Sequence, residues 1–181
     1  MMLLNRNDSV LVVVDMQERL APVISGIGAV TENVKVLMQA ASRLEVPILV
    51  SEQYPKGLGH TLAALADLTP NGAVVEKVEF SAAANSAFSE RLAALERSVP
   101  VICGIEAHVC VLQTALDLQS GELHPVVVQD ATQSRSADNA QAAWNRMVRR
   151  GVDLMTTEMV VFEWLRQADD PAFRELSRLL K

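Results

Sequence analysis

Asp15, Lys77 and Cys110 bring a carboxylate, an ammonium and a thiol to the ends of three short apolar runs. The chemistry of such a set is that of covalent hydrolysis. A thiolate attacks an electrophilic carbon, usually a carbonyl, and forms a covalent intermediate. A neighbouring carboxylate takes the thiol proton, passes it to the leaving group and then activates water. A lysine beside both favours their ionised forms. Cys110 stands in Gly104-Ile105-Glu106-Ala107-His108-Val109-Cys110-Val111, with a strand-like run before it and helical spacing (Leu112, Ala115, Leu116, Gln119) after it. That setting predicts a nucleophile at the start of a helix, where unpaired N–H groups and the helix dipole lower a thiol pKa. Taken singly, each residue has a plainer reading. Asp15 would be a turn cap, Lys77 a surface charge and Cys110 a buried thiol.

The elements that must position these groups alternate along the whole chain. Val10–Val14, Ile48–Val50, Ala73–Val75, Val99–Cys103, Val126–Val128 and Val152–Met155 read as strands. Between them lie helical faces carrying Val30, Val34, Leu37 and Met38; Phe88, Leu92 and Leu95, with Asn85 as N-cap; and Ala140, Ala143, Trp144 and Met147, stopped by Gly151. A last helix is predicted from Asp170-Pro171, bearing Phe173, Leu176, Leu179 and Leu180. Strands apolar throughout and separated by helices predict an α/β fold. The expected form is a three-layer, doubly wound domain, a six-stranded parallel sheet with helices on both faces, spanning 1–181 as one unit. Ligands of such sheets bind at the C-terminal strand ends, where Asp15, Lys77 and Cys110 would converge.

Composition narrows the function. Of the 181 residues half are apolar, and the net charge of -6 with no basic stripe argues against nucleic acid as a partner. No apolar stretch is long enough to span a membrane, and Met1 to Asp8 lacks the layout of a secretory leader. Two cysteines make no disulfide framework. A cytoplasmic protein acting on a small molecule is expected, with no cofactor.

The residues also carry a family likeness. Val13-Val14-Asp15-Met16-Gln17, Glu76-Lys77 followed by Phe80-Ser81-Ala82, and the Gly104 to Val111 block occur in the order and spacing of the isochorismatase-like cysteine hydrolases, which the chain resembles over nearly its whole length. Glu52-Gln53-Tyr54-Pro55, Leu116-Asp117-Leu118, Gln129-Asp130-Ala131 and Ser134-Arg135-Ser136 extend the match. The resemblance implies Cys110 as nucleophile, Asp15 as acid and base, and Lys77 as its charged partner. It further implies a cis peptide between Ile105 and Glu106, an oxyanion hole from the backbone N–H groups of Glu106 and Cys110, and a homo-oligomer.

The pattern departs from the metal-dependent nicotinamidases of that family. Ser51-Glu52-Gln53-Tyr54 and the single His60 replace their Asp-x-His and later histidines, so no metal site is expected. The sequence looks most like the branch of isochorismatase domain-containing proteins. Tyr54 and Phe80 either wall a substrate pocket or pack ordinarily, and His108 either lines that pocket or caps the helix. Cys103 is expected to be a core residue. The leading expectation is a metal-independent cysteine hydrolase of a small amide or ester. The alternatives are a nicotinamidase-like amidase and a non-catalytic binding, scaffold or thiol-sensing protein.

Overall fold

Six Val-, Ile- and Leu-rich runs become the strands of one parallel sheet in the computed structural model, which describes residues 3–121 and 123–180. They are β1 (Ser9–Val14), β2 (Ile48–Gln53), β3 (Val74–Lys77), β4 (Val99–Ile105), β5 (Val126–Gln133) and β6 (Asp153–Met155). The helices are α1 (Ile27–Arg43), α2 (Pro55–Leu58), α3 (Ala63–Ala66), α4 (Ser86–Ala94), α5 (Leu112–Ser120), α6 (Ala137–Arg149), α7 (Thr157–Leu165) and α8 (Phe173–Leu179). The strand order is β3-β2-β1-β4-β5-β6. The chain winds outward from β1 to β3, then returns to β4 on the other side of β1. The β1/β4 boundary is therefore the topological switch point, where a doubly wound sheet opens its crevice.

Both sheet faces are covered. On one, Leu11, Val13, Val50 and Val101 pack against Val34, Leu37 and Met38 of α1, Val160 and Trp164 of α7, and Leu176 of α8. On the other, Val10, Val12, Leu49, Val75 and Ile102 meet Phe88 and Leu92 of α4, Val111 and Ala115 beside α5, and Met147 of α6. Each strand thus feeds two cores through its alternating side chains. Burying one such side chain contributes about 1.5–3 kcal/mol.

Several boundaries differ from the sequence reading. The Gly104 glycine lies inside β4, which continues to Ile105. A Cβ there would stand 2.0 Å from the Val14 carbonyl oxygen, and φ is +116°. Only glycine lets β4 approach β1 that closely. The last helix begins at Phe173, because Asp170 turns the chain first: its Oδ1 accepts from Ala172 N at 2.8 Å and its carbonyl from Phe173 N at 2.9 Å. α7 has no counterpart among the elements read from the sequence. It is capped by Thr156, whose Oγ1 accepts from Met159 N at 3.3 Å. Asn85 caps α4 as expected, its Oδ1 accepting from Phe88 N at 3.1 Å. Among the described residues, no helix is long and apolar enough to cross a membrane.

Candidate active site

Strand alternation decides which polar residues meet at the crevice. Leu49 and Val75 point toward the α4–α6 layer. Ser51 and Gln53, two and four residues along β2, and Lys77, two along β3, therefore point the same way. Glu52 points oppositely and is occupied there, accepting from Thr61 N and Oγ1 at 2.7 Å each, with His60 Nδ1 at 3.0 Å. Register places Val14 of β1 beside Ser51 and Gly104, and Gln53 beside Lys77. Asp15 follows Val14 with φ 50°, which breaks the alternation as the chain leaves the sheet.

Asp15 and Lys77 meet in full burial. Lys77 Nζ lies 2.7 Å from Asp15 Oδ2, and both side chains are wholly inaccessible. Ser51 Oγ donates to Asp15 Oδ1 at 2.7 Å. Lys77 Nζ also reaches Gln53 Oε1 at 2.6 Å and the Glu79 and Phe80 carbonyls at 3.2 and 3.3 Å. Its three N–H bonds thus face four acceptors of the protein itself.

Cys110 completes the group from the far side of the switch point. Residues Ala107–Val111 form a π-helical turn rather than the first α-helical turn that the sequence suggested. The bonds from Val109 N and Val111 N converge on the Glu106 carbonyl. Such wide turns recur at functional sites. The peptide between Ile105 and Glu106 is cis. The Glu106 side chain turns to Arg135, accepting from its N–H at 2.9 Å and lying 3.2 Å from Nη2.

The electrostatics run opposite to the expected lowering of the thiol pKa. Cys110 is 6% exposed. Burial foremost pushes its thiol well above the usual range; Asp15 and Glu106 add to that and Lys77 opposes it. Burial also raises Asp15, against the Lys77 charge and hydrogen bonds from Lys77, Ser51 and Cys110. The thiol thus keeps its proton at rest, facing a carboxylate whose appetite for protons is increased.

The remaining candidates sit around this centre. Tyr54 is in a left-handed conformation (φ 38°), its ring over Gly57, where an added Cβ would come within 2.5 Å. Tyr54, Lys56, Lys77 and Asn85 border a cleft of about 330 Å³. The Tyr54 and Phe80 rings are exposed. His108 turns to Ser134 of the β5–α6 loop and to α6, with Nδ1 2.9 Å from Ser134 Oγ and Nε2 3.4 Å from Asn139 Nδ2. Cys103 is buried in β4 with its Sγ 3.8 Å from the Val12 carbonyl. Ser51, Gln53 and Gln17, which tie the centre together, carry no charge to single them out, although alternation from Leu49 would have found the first two. Ser81 Oγ is buried with no hydrogen-bond partner among the described residues. Among those residues no group of three His, Cys, Asp or Glu is arranged to hold a metal ion.

Known proteins share this framework. The sequence profile of the isochorismatase domain matches residues 9–159. Isochorismatase domain-containing protein 1 of Salmo salar is 40% identical over 169 residues, 92% of this chain and 59% of that protein, so the chain spans about three-fifths of that relative. Isochorismatase domain-containing protein 2 of Danio rerio is 36% identical over 179 residues, 98% of this chain and 89% of that protein. A solved structure described as the MAR1 ribonuclease of Caenorhabditis elegans superposes with a TM-score of 0.93 at 35% identity, covering 99% of this chain and 92% of that one. With the domain profile covering most of its length, the chain belongs to the isochorismatase family.

Proposed function

We propose that the protein is a metal-independent cysteine hydrolase of a small amide or ester, with Cys110 as nucleophile, Asp15 as proton carrier and Lys77 as its charged partner. The observation that carries this reading is the fully buried Asp15–Lys77 pair, 2.7 Å apart, with the Cys110 thiol beside the carboxylate.

The steps balance with no further reactant than water. Cys110 Sγ bonds to the carbonyl carbon as its proton passes to Asp15, and the carbonyl π pair moves onto oxygen. The N–H groups of Glu106 and Cys110 are assigned to that oxyanion. Collapse re-forms the carbonyl, breaks the C–N or C–O bond and sends the Asp15 proton to the leaving group. Water then gives a proton to Asp15 and attacks the thioester, and the departing sulfur recovers the proton. Proton transfer during attack suits a thiol that stays protonated at rest. Tyr54, which borders the cleft beside Lys77, is assigned to substrate contact. We further propose a homo-oligomer, supported by the apolar Val78 and Phe80 exposed beside the open edge of β3.

The test is a panel of small amides and activated esters with intact-mass detection, run beside Cys110→Ser and an RNA substrate. An acyl adduct on the wild type, absent in Cys110→Ser, together with turnover is expected. Cys110-independent turnover, or RNA cleavage without amide or ester hydrolysis, overturns the reading. Light scattering checks the oligomer; a monomer at micromolar concentration would remove that part.

A further inference from the structure

The proposed mechanism uses Asp15, Lys77 and Cys110, yet the shortest contact of the Lys77 ammonium is to an uncharged residue. Gln53 Oε1 lies 2.6 Å from Lys77 Nζ, against 2.7 Å for Asp15 Oδ2. The orientation of the Gln53 amide is set, because its Nε2 donates to the Val78 carbonyl at 2.8 Å. The main chain of Gln53 is held separately. Its N–H donates to Gln17 Oε1 at 2.7 Å, and its carbonyl accepts from Gln17 Nε2 at 3.0 Å. Gln17 in turn lies two residues beyond Asp15, and its N–H donates to the Asp15 carbonyl at 2.8 Å.

These bonds close a circuit, Asp15 to Lys77 to Gln53 to Gln17 and back along the chain to Asp15. All four residues are buried. A buried polar network with every member satisfied fixes one geometry, because any other leaves groups unpaired. Without the Gln53 oxygen, the ammonium keeps only Asp15 and two longer carbonyl contacts.

We propose that Gln53 is a positioning residue for the Lys77–Asp15 pair, holding the ammonium where it keeps the Asp15 carboxylate ready for the Cys110 proton. This rests on the reading of Asp15 as proton acceptor. The charged and titratable groups involved are limited. Asp15 faces Lys77 from β3 and Cys110 from the π-helical turn, with the neutral Ser51 from β2. Glu106 acts on Cys110, and the Glu79 carboxylate feels Lys77.

Substitution at residue 53 leaves the Gln17 clamp in place, since that clamp holds main-chain atoms. The rate of Cys110 alkylation by iodoacetamide is followed against pH by intact mass, in wild type, Gln53→Leu, Gln53→Glu, Asp15→Asn and a Cys110→Ala control. In Gln53→Leu the ammonium is no longer held to one position beside Asp15, the carboxyl holds its proton to higher pH, and the midpoint moves up by about one unit. In Gln53→Glu a second carboxylate competes for the same ammonium, so the midpoint moves up further. Gln53→Glu keeps an oxygen acceptor and so serves if the leucine variant does not fold. A merely structural role would lower the melting temperature and leave the midpoint where it was. Midpoints equal to wild type in the folded variants, with an altered Asp15→Asn profile, overturn the role of Gln53 alone. An Asp15→Asn profile identical to wild type overturns the proton-acceptor reading and this inference with it.

Discussion

Cys110 and Cys103 share a chemical group and a buried setting, and differ in their neighbours. Cys103 faces a strand carbonyl, whereas Cys110 faces Asp15 and Lys77. In both, burial pushes ionisation up, which links them to stability. Above pH 9.0, the ordinary value for a thiol, the unfolded chain releases protons that the native state retains, so stability falls as pH rises. Cys110→Ala removes one of these thiols. Its unfolding free energy should fall less steeply above that pH, by up to about 1.4 kcal/mol per pH unit, as urea titrations across the alkaline range would show. Asp15→Asn acts differently. It should cut turnover about 10²–10⁴-fold and destabilise by about 3–5 kcal/mol, because Lys77 loses its buried partner; turnover rates and urea midpoints check the two parts. The identities of Asp15, Lys77 and Cys110, and the placing of the first two at strand ends, were legible in the sequence. The direction of the thiol shift was not, because a helix start is visible in spacing while the depth of burial is a product of packing. His108, close in sequence to Cys110, shows the same limit: its ring lies against Ser134 beyond the π-helical turn.

Among the elements, the β1–β4 seam leaves no room for a side chain at Gly104. Gly104→Ala would set a methyl against Val14 main chain at a left-handed φ. Overpacking and backbone strain together should cost about 2–6 kcal/mol. Gly28→Ala, in the first turn of α1 with nothing within 4 Å of the added carbon, should stabilise by about 0.5–1 kcal/mol. Paired chemical denaturation curves check both signs. The strands were readable because a fully buried parallel strand is apolar throughout, as the continuous burial of β1 shows. α7 was harder: Met159, Val160, Val161, Phe162, Trp164 and Leu165 make it apolar on most sides, which blurs its period. The short α2 and α3 carry too few residues to show any period, and the start of α8 was displaced by the two local hydrogen bonds of the Asp170 turn.

For the whole molecule, the central question is whether two cores behave as one. Trp164 reports on one layer, with Nε1 donating to Ser9 Oγ at 3.0 Å, and Trp144 on the other, donating to Thr132 Oγ1 at 3.1 Å. Since the same strands feed both layers, Trp144→Phe and Trp164→Phe should give single fluorescence transitions that coincide with loss of helix by circular dichroism. Separate midpoints would mean that the layers unfold independently. The architecture was legible at this scale from the order of strands and helices. The circuit of Gln17 and Gln53 was not, since it depends on an uncharged side chain beyond β1 clamping main-chain atoms of β2. The sealing of Lys77 and Asp15 beneath the crevice has one last effect. Dissolved ions weaken attraction between charges that they can surround, and neither member of this pair is open to them. The turnover number should therefore stay level as sodium chloride is raised from low to near-molar, leaving only the capture of a charged substrate sensitive to salt.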